Sequence, residues 1–304
     1  MNRSHAAVLA TVVVAAAIPG ALVGCKHSGH GSAAAGSASA APATSAPRAI
    51  PVPAEVVQQA VNPKGAKPYA GPTGTLAGTL TISGDPPPEQ SKVLESIPAK
   101  CARAPGMYGK LFRVDAQGRL ADALVTVTGY QGFVPAQADA KTVTGRGCAW
   151  DTRTFALTFG QKLQVKSRGR TAYVPELRGG HMASQMVAIP GGSAVTLLPN
   201  QVGRFQLVDS MHLFMKADVL VLKYATFDVT GADGAYEIKG VPAGGEVTLT
   251  AFLPQIMAHV DRKVKVEPGK TTQVDLQLEY KKPAEPAKPA ASTKPGSKPV
   301  PVIP

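Results

Sequence analysis

With 304 residues the chain has room for two domains, but its 31 Gly, 27 Pro and 5 % aromatics do not describe a helical bundle. Valine and threonine runs punctuated by Gly and Pro point to β-structure instead. The formal net charge of +12 suggests a polyanion partner until it is located: eight of the twelve charges lie in residues 1–73 and 281–304, leaving 22 basic against 18 acidic side chains between them. That near-balance excludes a basic nucleic-acid-binding face and leaves only weak attraction of the two ends to anionic envelope surfaces.

Residues 1–25 read as a secretory leader. Arg3 is the basic start, and the apolar run 6–18 is short for a bilayer span. The run ends in Leu22-Val23-Gly24-Cys25, which resembles the lipobox of bacterial lipoproteins. The resemblance implies cleavage before Cys25 and lipid on its sulfur and new amino terminus; a plain signal peptide with an unrelated cysteine is the other reading. Lys26 follows where an Asp would suggest inner-membrane retention, so the expected place is the outer membrane, facing the periplasm or the cell surface. At about 0.8 kcal/mol per buried CH₂, several acyl chains hold such a protein firmly.

Residues 26–72 are mainly Ala, Ser, Gly and Pro and read as a disordered tether with a turn or two of helix at 54–61. His27 and His30 stand in this tether without hydrophobic neighbours to fix their rings, so solvated linker is preferred to a metal clip. Residues 281–304 alternate Lys, Pro and Ala and cannot bury enough apolar surface to fold.

Order is expected from Thr73. Leu76, Leu80 and Ile82 alternate in part before Asp85-Pro86-Pro87-Pro88 stops the pattern. Further strands are predicted at 123–128, 155–159, 162–166, 185–189, 194–198, 203–208 and 217–222. Short strands at this spacing without a long helical period describe an all-β sandwich.

Cys101 and Cys148 are the cysteines left after Cys25. In a chain exported through an oxidising compartment the pair reads as a disulfide, contributing about 4 kcal/mol by the loop-entropy argument. A thiolate metal site is the alternative, although neither cysteine has a His or a second Cys at ligand spacing.

The stretch Asp209-Ser210-Met211-His212-Leu213-Phe214-Met215 lies between two predicted strands. It resembles the metal-ligand loop of the cupredoxins, the plastocyanin-like copper proteins, in which a Cys and a His bind copper and a Met is the weak axial ligand. Gly147-Cys148-Ala149-Trp150 resembles the segment before the first copper histidine. The resemblance implies a Greek-key sandwich over residues 73–222, with His212 and Met215 in register. Asp209 stands at the cysteine position and, by ungapped alignment, Tyr173 at the first histidine. A type 1 copper centre needs a thiolate in its trigonal plane, so a degenerate site without a cofactor is expected. Two readings of Tyr173, Asp209, His212 and Met215 stay open. They form a harder, weak site for Cu or Zn, with His181 within reach, or Met211, Leu213, Phe214 and Met215 cap the core while Asp209 and His212 hydrogen-bond loop backbone.

Residues 227–252 resemble the carboxypeptidase regulatory-like and starch-binding-like β-module, with Asp233-Gly234 and Val241-Pro242-Ala243-Gly244 as hairpin turns. The module is drawn at 223–280. Its few strands either dock on the first sandwich or borrow the early ones near Leu76–Ile82 and Leu124–Thr128. Tyr236 and Phe252 read as core, not as a sugar platform. No nucleophile elbow, metalloprotease helix, phosphate loop or dinucleotide fingerprint occurs, and neither His259 with Asp261 nor His181 with Ser184 makes a triad. The expectation is a non-enzymatic, lipid-anchored binding or scaffold protein of the bacterial envelope, with an envelope protein or polysaccharide as partner. Its rivals are a metal-binding or electron-transfer protein and a carbohydrate-binding module.

Overall fold

The computed structural model describes residues 51–179 and 186–283. Cys25, His27, His30, His181 and Ser184 lie outside these residues. The chain runs through α1 (Ala54–Val61), β1 (Thr73–Gly84), α2 (Ser91–Ser96), α3 (Ala104–Tyr108), β2 (Leu124–Thr128), β3 (Ala140–Arg146), β4 (Ala149–Trp150), β5 (Thr154–Thr158) and β6 (Lys162–Ser167). It continues through β7 (Pro175–Arg178), β8 (Val195–Leu197), β9 (Gly203–Asp209), β10 (Lys216–Leu222), β11 (Phe227–Val229), β12 (Ala235–Pro242), β13 (Glu246–Leu253), β14 (Ala258–Lys265), β15 (Thr271–Gln273) and β16 (Leu276–Tyr280).

These strands form four sheets of four that face each other in pairs. In the first sandwich, the sheet β5-β10-β9-β7 faces β4-β3-β6-β8. Between them lies a core of Val143, Trp150, Phe155, Leu157, Leu163, Val165, Phe205, Leu207 and Val219. β6 alternates its burial because successive side chains point to opposite faces. β5 and β10 are buried along nearly their whole length because their outer face is covered too.

What covers them is the second sandwich. Its sheets are β12-β1 with β15 and β16, and β11-β2-β13-β14. They enclose Leu76, Leu80, Val125, Val127, Ile238, Leu249, Ala251, Leu276 and Leu278. β1 runs antiparallel to β12 and parallel to β15 and β16. β2 pairs with β11 and β13. The early strands therefore belong with the C-terminal ones, the second of the two arrangements that the sequence left open. Sheet pairing divides the chain discontinuously: β3–β10 are threaded as a unit between β2 and β11, so one break falls after Leu222, at the end of β10, and another between β2 and β3.

Two other expectations need correction. The turns at Asp233-Gly234 and 241–244 are not hairpins, because β11 and β13 share one sheet while β12 lies in the other, so each turn carries the chain across the sandwich. The hairpin of this region is β13–β14, paired from Leu253↔Ala258 to Glu246↔Lys265. Second, the tether prediction fails for residues 51–72. Helix α1 matches the predicted bounds, and its Val57, Ala60 and Val61 pack on the first core beside Gly160. Of the predicted strand at 185–189, the described part makes only a bridge, Tyr173↔Ala188. Strands β3 and β7 were not predicted: β3 carries a Gly in its run, and β7 begins with Pro.

Between the sandwiches lies a small apolar seam. Leu124 and Phe252 from one side meet Ala156, Leu220 and Leu222 from the other, with Phe227 and Val229. Its edge is polar and specific. Asp122, buried and with φ at 65°, accepts Arg113 Nε and Nη2 at 2.6 Å each, the Thr152 hydroxyl at 2.6 Å and Arg153 N–H at 2.9 Å. Thr152 and Arg153 open β5, whereas Asp122 opens β2. At another point Asp218 of β10 accepts Arg204 Nε at 2.7 Å and Gln255 Nε2 at 3.3 Å, and Arg204 Nη2 donates to the Pro254 carbonyl at 3.1 Å.

Burial opposes charge on Asp122, but the Arg113 guanidinium and the two donors from β5 outweigh it and hold the carboxyl below the usual range. A carboxylate depressed in the folded state stabilises above its unfolded value, and that stabilisation is lost as pH falls through the folded one. Asp122→Asn is expected to lower stability at pH 7 by about 3 kcal/mol, by stranding Arg113. The gap from wild type should close as pH drops below about 4. Urea unfolding followed through buried Trp150 at pH 7 and pH 3 checks both; a gap independent of pH would overturn the assignment.

Candidate functional site

Strand β9 runs as far as Asp209, and the loop to β10 is closed by its own backbone. His212 N–H donates to Asp209 O at 3.2 Å, Met215 N–H to His212 O at 2.8 Å and Asp209 N–H to Met215 O at 3.2 Å. This winding turns Asp209, His212 and Met215 inward, all buried, and turns Met211 and Leu213 out to solvent, so of the expected apolar caps Met211 and Leu213 do not cover the core.

Asp209 has no solvent exposure, and both its oxygens are used. Oδ1 accepts the Val174 N–H at 2.5 Å, and Oδ2 is hydrogen-bonded to His212 Nδ1 at 2.5 Å. β7 is the neighbour of β9, with Pro175 opposite Asp209, which is why Val174 reaches it. A buried carboxylate with both oxygens bonded is a stable arrangement; with one partner removed it is not.

Tyr173 precedes Val174 and is equally buried. Its ring rests against Gly145, where a side chain would collide, 5.6 Å from Trp150 and 6.0 Å from the His212 ring between centroids. Phe214 continues the row, 5.9 Å from His212 edge-on and 6.1 Å from Tyr108. The Tyr173 hydroxyl accepts the Cys148 N–H at 3.3 Å and the Tyr108 hydroxyl accepts the Trp150 N–H at 3.0 Å. Burial pushes both phenols up, so each stays neutral and neither offers a phenolate.

The structure thus gathers Tyr173, Asp209 and His212 at one end of the first sandwich, with Met215 in the core beneath. Cys101 and Cys148 form a disulfide with Cα atoms 5.1 Å apart, and its sulfurs lie beside His212. Sequence spacing did not signal that neighbour, because position 212 is far along the chain from both cysteines. The other sequence candidates stay apart. His259 and Asp261 are exposed on β14, where Asp261 accepts the Thr250 hydroxyl at 2.6 Å. Asp228, on β11, accepts the Val229 and Glu237 N–H groups of β11 and β12, and Asp233 accepts the Ala235 N–H across its turn.

These residues do not fit type 1 copper. The thiolate position carries a carboxylate spent on Val174 and His212, one imidazole nitrogen is committed to that carboxylate, and Tyr173 contributes a neutral phenol turned towards Cys148. The arrangement closes the end of the sandwich with hydrogen bonds and aromatic packing.

Comparison with known proteins gives a distant structural likeness and no relative in sequence. No protein-family model matches the chain, and no curated protein matches it in sequence. Part of the chain is similar in structure to amicyanin, a cupredoxin. The amicyanin of Paracoccus versutus (Thiobacillus versutus) is 18 % identical over 32 % of this chain and 97 % of its own, with a TM-score of 0.25. A reduced amicyanin mutant gives 16 % identity over 32 % and 98 %, and a Cu(I)-form mutant gives 14 % over 28 % and 83 %, both at 0.25.

His212→Ala removes one of the two bonds holding the buried Asp209 carboxylate and is expected to cost about 2–3 kcal/mol. Asp209→Asn keeps a hydrogen-bonding amide and should cost less. Chemical denaturation of the two variants tests this order. Equal stability of His212→Ala and wild type would show that the pair contributes nothing.

Proposed function

We propose that this chain is a non-enzymatic binding module of the bacterial cell envelope, anchored through lipid on Cys25, whose cupredoxin-like sandwich has exchanged its copper centre for a closed, hydrogen-bonded end. The carrying observation is the Asp209–His212 pair, which uses on itself the groups a metal would need. The rim of the same end supports a docking role. Met211 and Leu213 on the loop, and Val187 and Ile189 beside it, are 52–62 % exposed. Ala188 bridges Tyr173, and Ser210 N–H donates to Val174 O at 2.9 Å, so the two segments stand about two strand spacings apart, roughly 10 Å. Four apolar side chains grouped so closely on a surface mark a contact site for an apolar face of another envelope protein.

A sugar platform in the regulatory-like strands is the weaker reading. Tyr236 and Tyr280 are buried, and Phe252 lies in the seam between the sandwiches, so these aromatics present no stacking face.

Two measurements test the reading. The oxidised full-length chain, titrated with Cu²⁺ and Zn²⁺, should bind no more than its His212→Ala variant; blue absorbance with one equivalent of copper would sink it. A photo-crosslinking residue placed at Leu213 in the native host should give one discrete protein adduct, absent when the residue is moved to Lys263 on β14. Identical patterns from both positions would remove the docking surface.

A further inference from the structure

The sulfurs of Cys101 and Cys148 and a ring nitrogen of His212 lie within 4.8 Å of one another, all three residues buried. No other group of three or more such ligands occurs among the described residues. While the bridge is intact its sulfurs carry no thiolate charge and hold no metal. We propose that the Cys101–Cys148 disulfide is the closed form of a redox-gated metal site. Its reduction yields two thiolates that, with His212 Nε2, bind one thiophilic d¹⁰ cation, Zn²⁺ or Cu(I).

The step balances with a dithiol as reductant. Two electrons and two protons pass to the bridge, the S–S bond breaks, two S–H bonds form, and the reductant closes its own disulfide. Cation binding then releases the two thiol protons.

Three features suit the residues to this. Their ligand chemistry is right, since thiolate pairs with imidazole select soft or borderline cations. The histidine is oriented: Asp209 occupies Nδ1, which leaves Nε2 to coordinate and adds the carboxylate that commonly fixes a metal-binding imidazole. Both cysteine backbones are also held independently of the bridge. Gly147 and Cys148, with φ at 58° and 55°, form the two-residue turn between β3 and β4, closed by the pair Arg146↔Ala149. A cysteine in that left-handed conformation costs about 1–2 kcal/mol where Asn or Gly would sit easily. Cys101 N–H donates to Pro98 O at 2.8 Å and Cys101 O accepts Ala104 N–H at 3.0 Å. The thiols therefore stay in place when the bond between them opens. The bridge itself is buried, so a reductant reaches it by local opening of the short segment around Cys101, whose neighbours Ala99, Lys100, Ala102 and Arg103 are exposed.

The proposal goes beyond the docking reading and does not need it. Copper in the oxidised chain would overturn that reading, whereas failure of the reduced chain alone overturns this one. The full-length chain, reduced with dithiothreitol and freed of it by anaerobic gel filtration, is titrated with Zn²⁺, Cu(I) and, as optical reporter, Co²⁺. One equivalent should bind with release of two protons and a sulfur-to-cobalt charge-transfer band, all absent before reduction. Cys101→Ser should abolish the band, His212→Ala should abolish one-equivalent binding while leaving both thiols titratable, and Asp209→Asn should weaken it by about 10- to 100-fold. Affinity unchanged by reduction would overturn the proposal. So would a His212→Ala variant binding as tightly as wild type, since the thiols would then act from an opened chain. Should reduction unfold the protein, recovery of the native circular-dichroism spectrum on adding Zn²⁺, in wild type and not in His212→Ala, supports the site; failure to recover counts against it.

Discussion

The buried carboxylate of Asp122 is the point on which the two halves of the molecule hinge. It receives four hydrogen bonds, two from Arg113 and two from the residues leading into β5, so one charge ties the approach to β2 of the second sandwich to the approach to β5 of the first. Its left-handed backbone, costing about 1–2 kcal/mol, is tolerated because the carboxylate is over-determined by its partners. The apolar seam beside it is thin, a few side chains from each half, and does not by itself specify one angle between two sandwiches. Directional bonds supply what area does not. Asp218, with Arg204 and Gln255, adds a second fixed point across the same seam.

That joint matters because of how the chain is threaded. β1 pairs in parallel with β16, so Leu80 waits for Leu276 before its strand is complete, and Thr79 N–H donates to Asp275 Oδ1 at 2.8 Å. The second sandwich cannot close until nearly the whole described chain is in place, whereas the first is built from consecutive strands with shorter loops. Long-range pairing is slow to form, so the first sandwich is the natural template on which the second assembles. Helix α1 adds to that template from outside, through Val57 and Val61.

Much of this architecture could be read locally and little of it globally. Short apolar runs located β6, β9 and β10 to within a residue or so: β6 alternates because one face lies in a core, and β10 is apolar along its length because both of its faces are covered. Pairing was not legible. Asp233-Gly234 carries the composition of a hairpin turn, yet the strands on either side separate into opposite sheets, and nothing in a turn dipeptide encodes which sheet the next strand joins. The site was half legible. The spacing of Asp209, His212 and Met215 marked the loop, and the alignment that put Tyr173 beside them is matched by a ring 6.0 Å from His212. The Asp209–His212 bond itself, and the disulfide against that histidine, depend on three-dimensional closure between residues 101, 148 and 212, whose separations carry no motif.

Charge and softness at this end of the first sandwich are divided between two places. A thiolate at position 209 would hold a soft cation permanently and would need it, since a buried anion without a partner is costly. Asp209 is an anion whose partners are its own histidine and a neighbouring backbone N–H, so the end is stable without metal. The soft atoms sit one layer away, in Cys101 and Cys148, neutral while bonded to each other. Carboxylate, imidazole and sulfur are thus all retained within a few ångströms, but the negative charge on sulfur has been made conditional on breaking one bond. Asp209 and His212 satisfy each other without a cation, and the metal binding proposed for the sulfurs depends on thiol redox state.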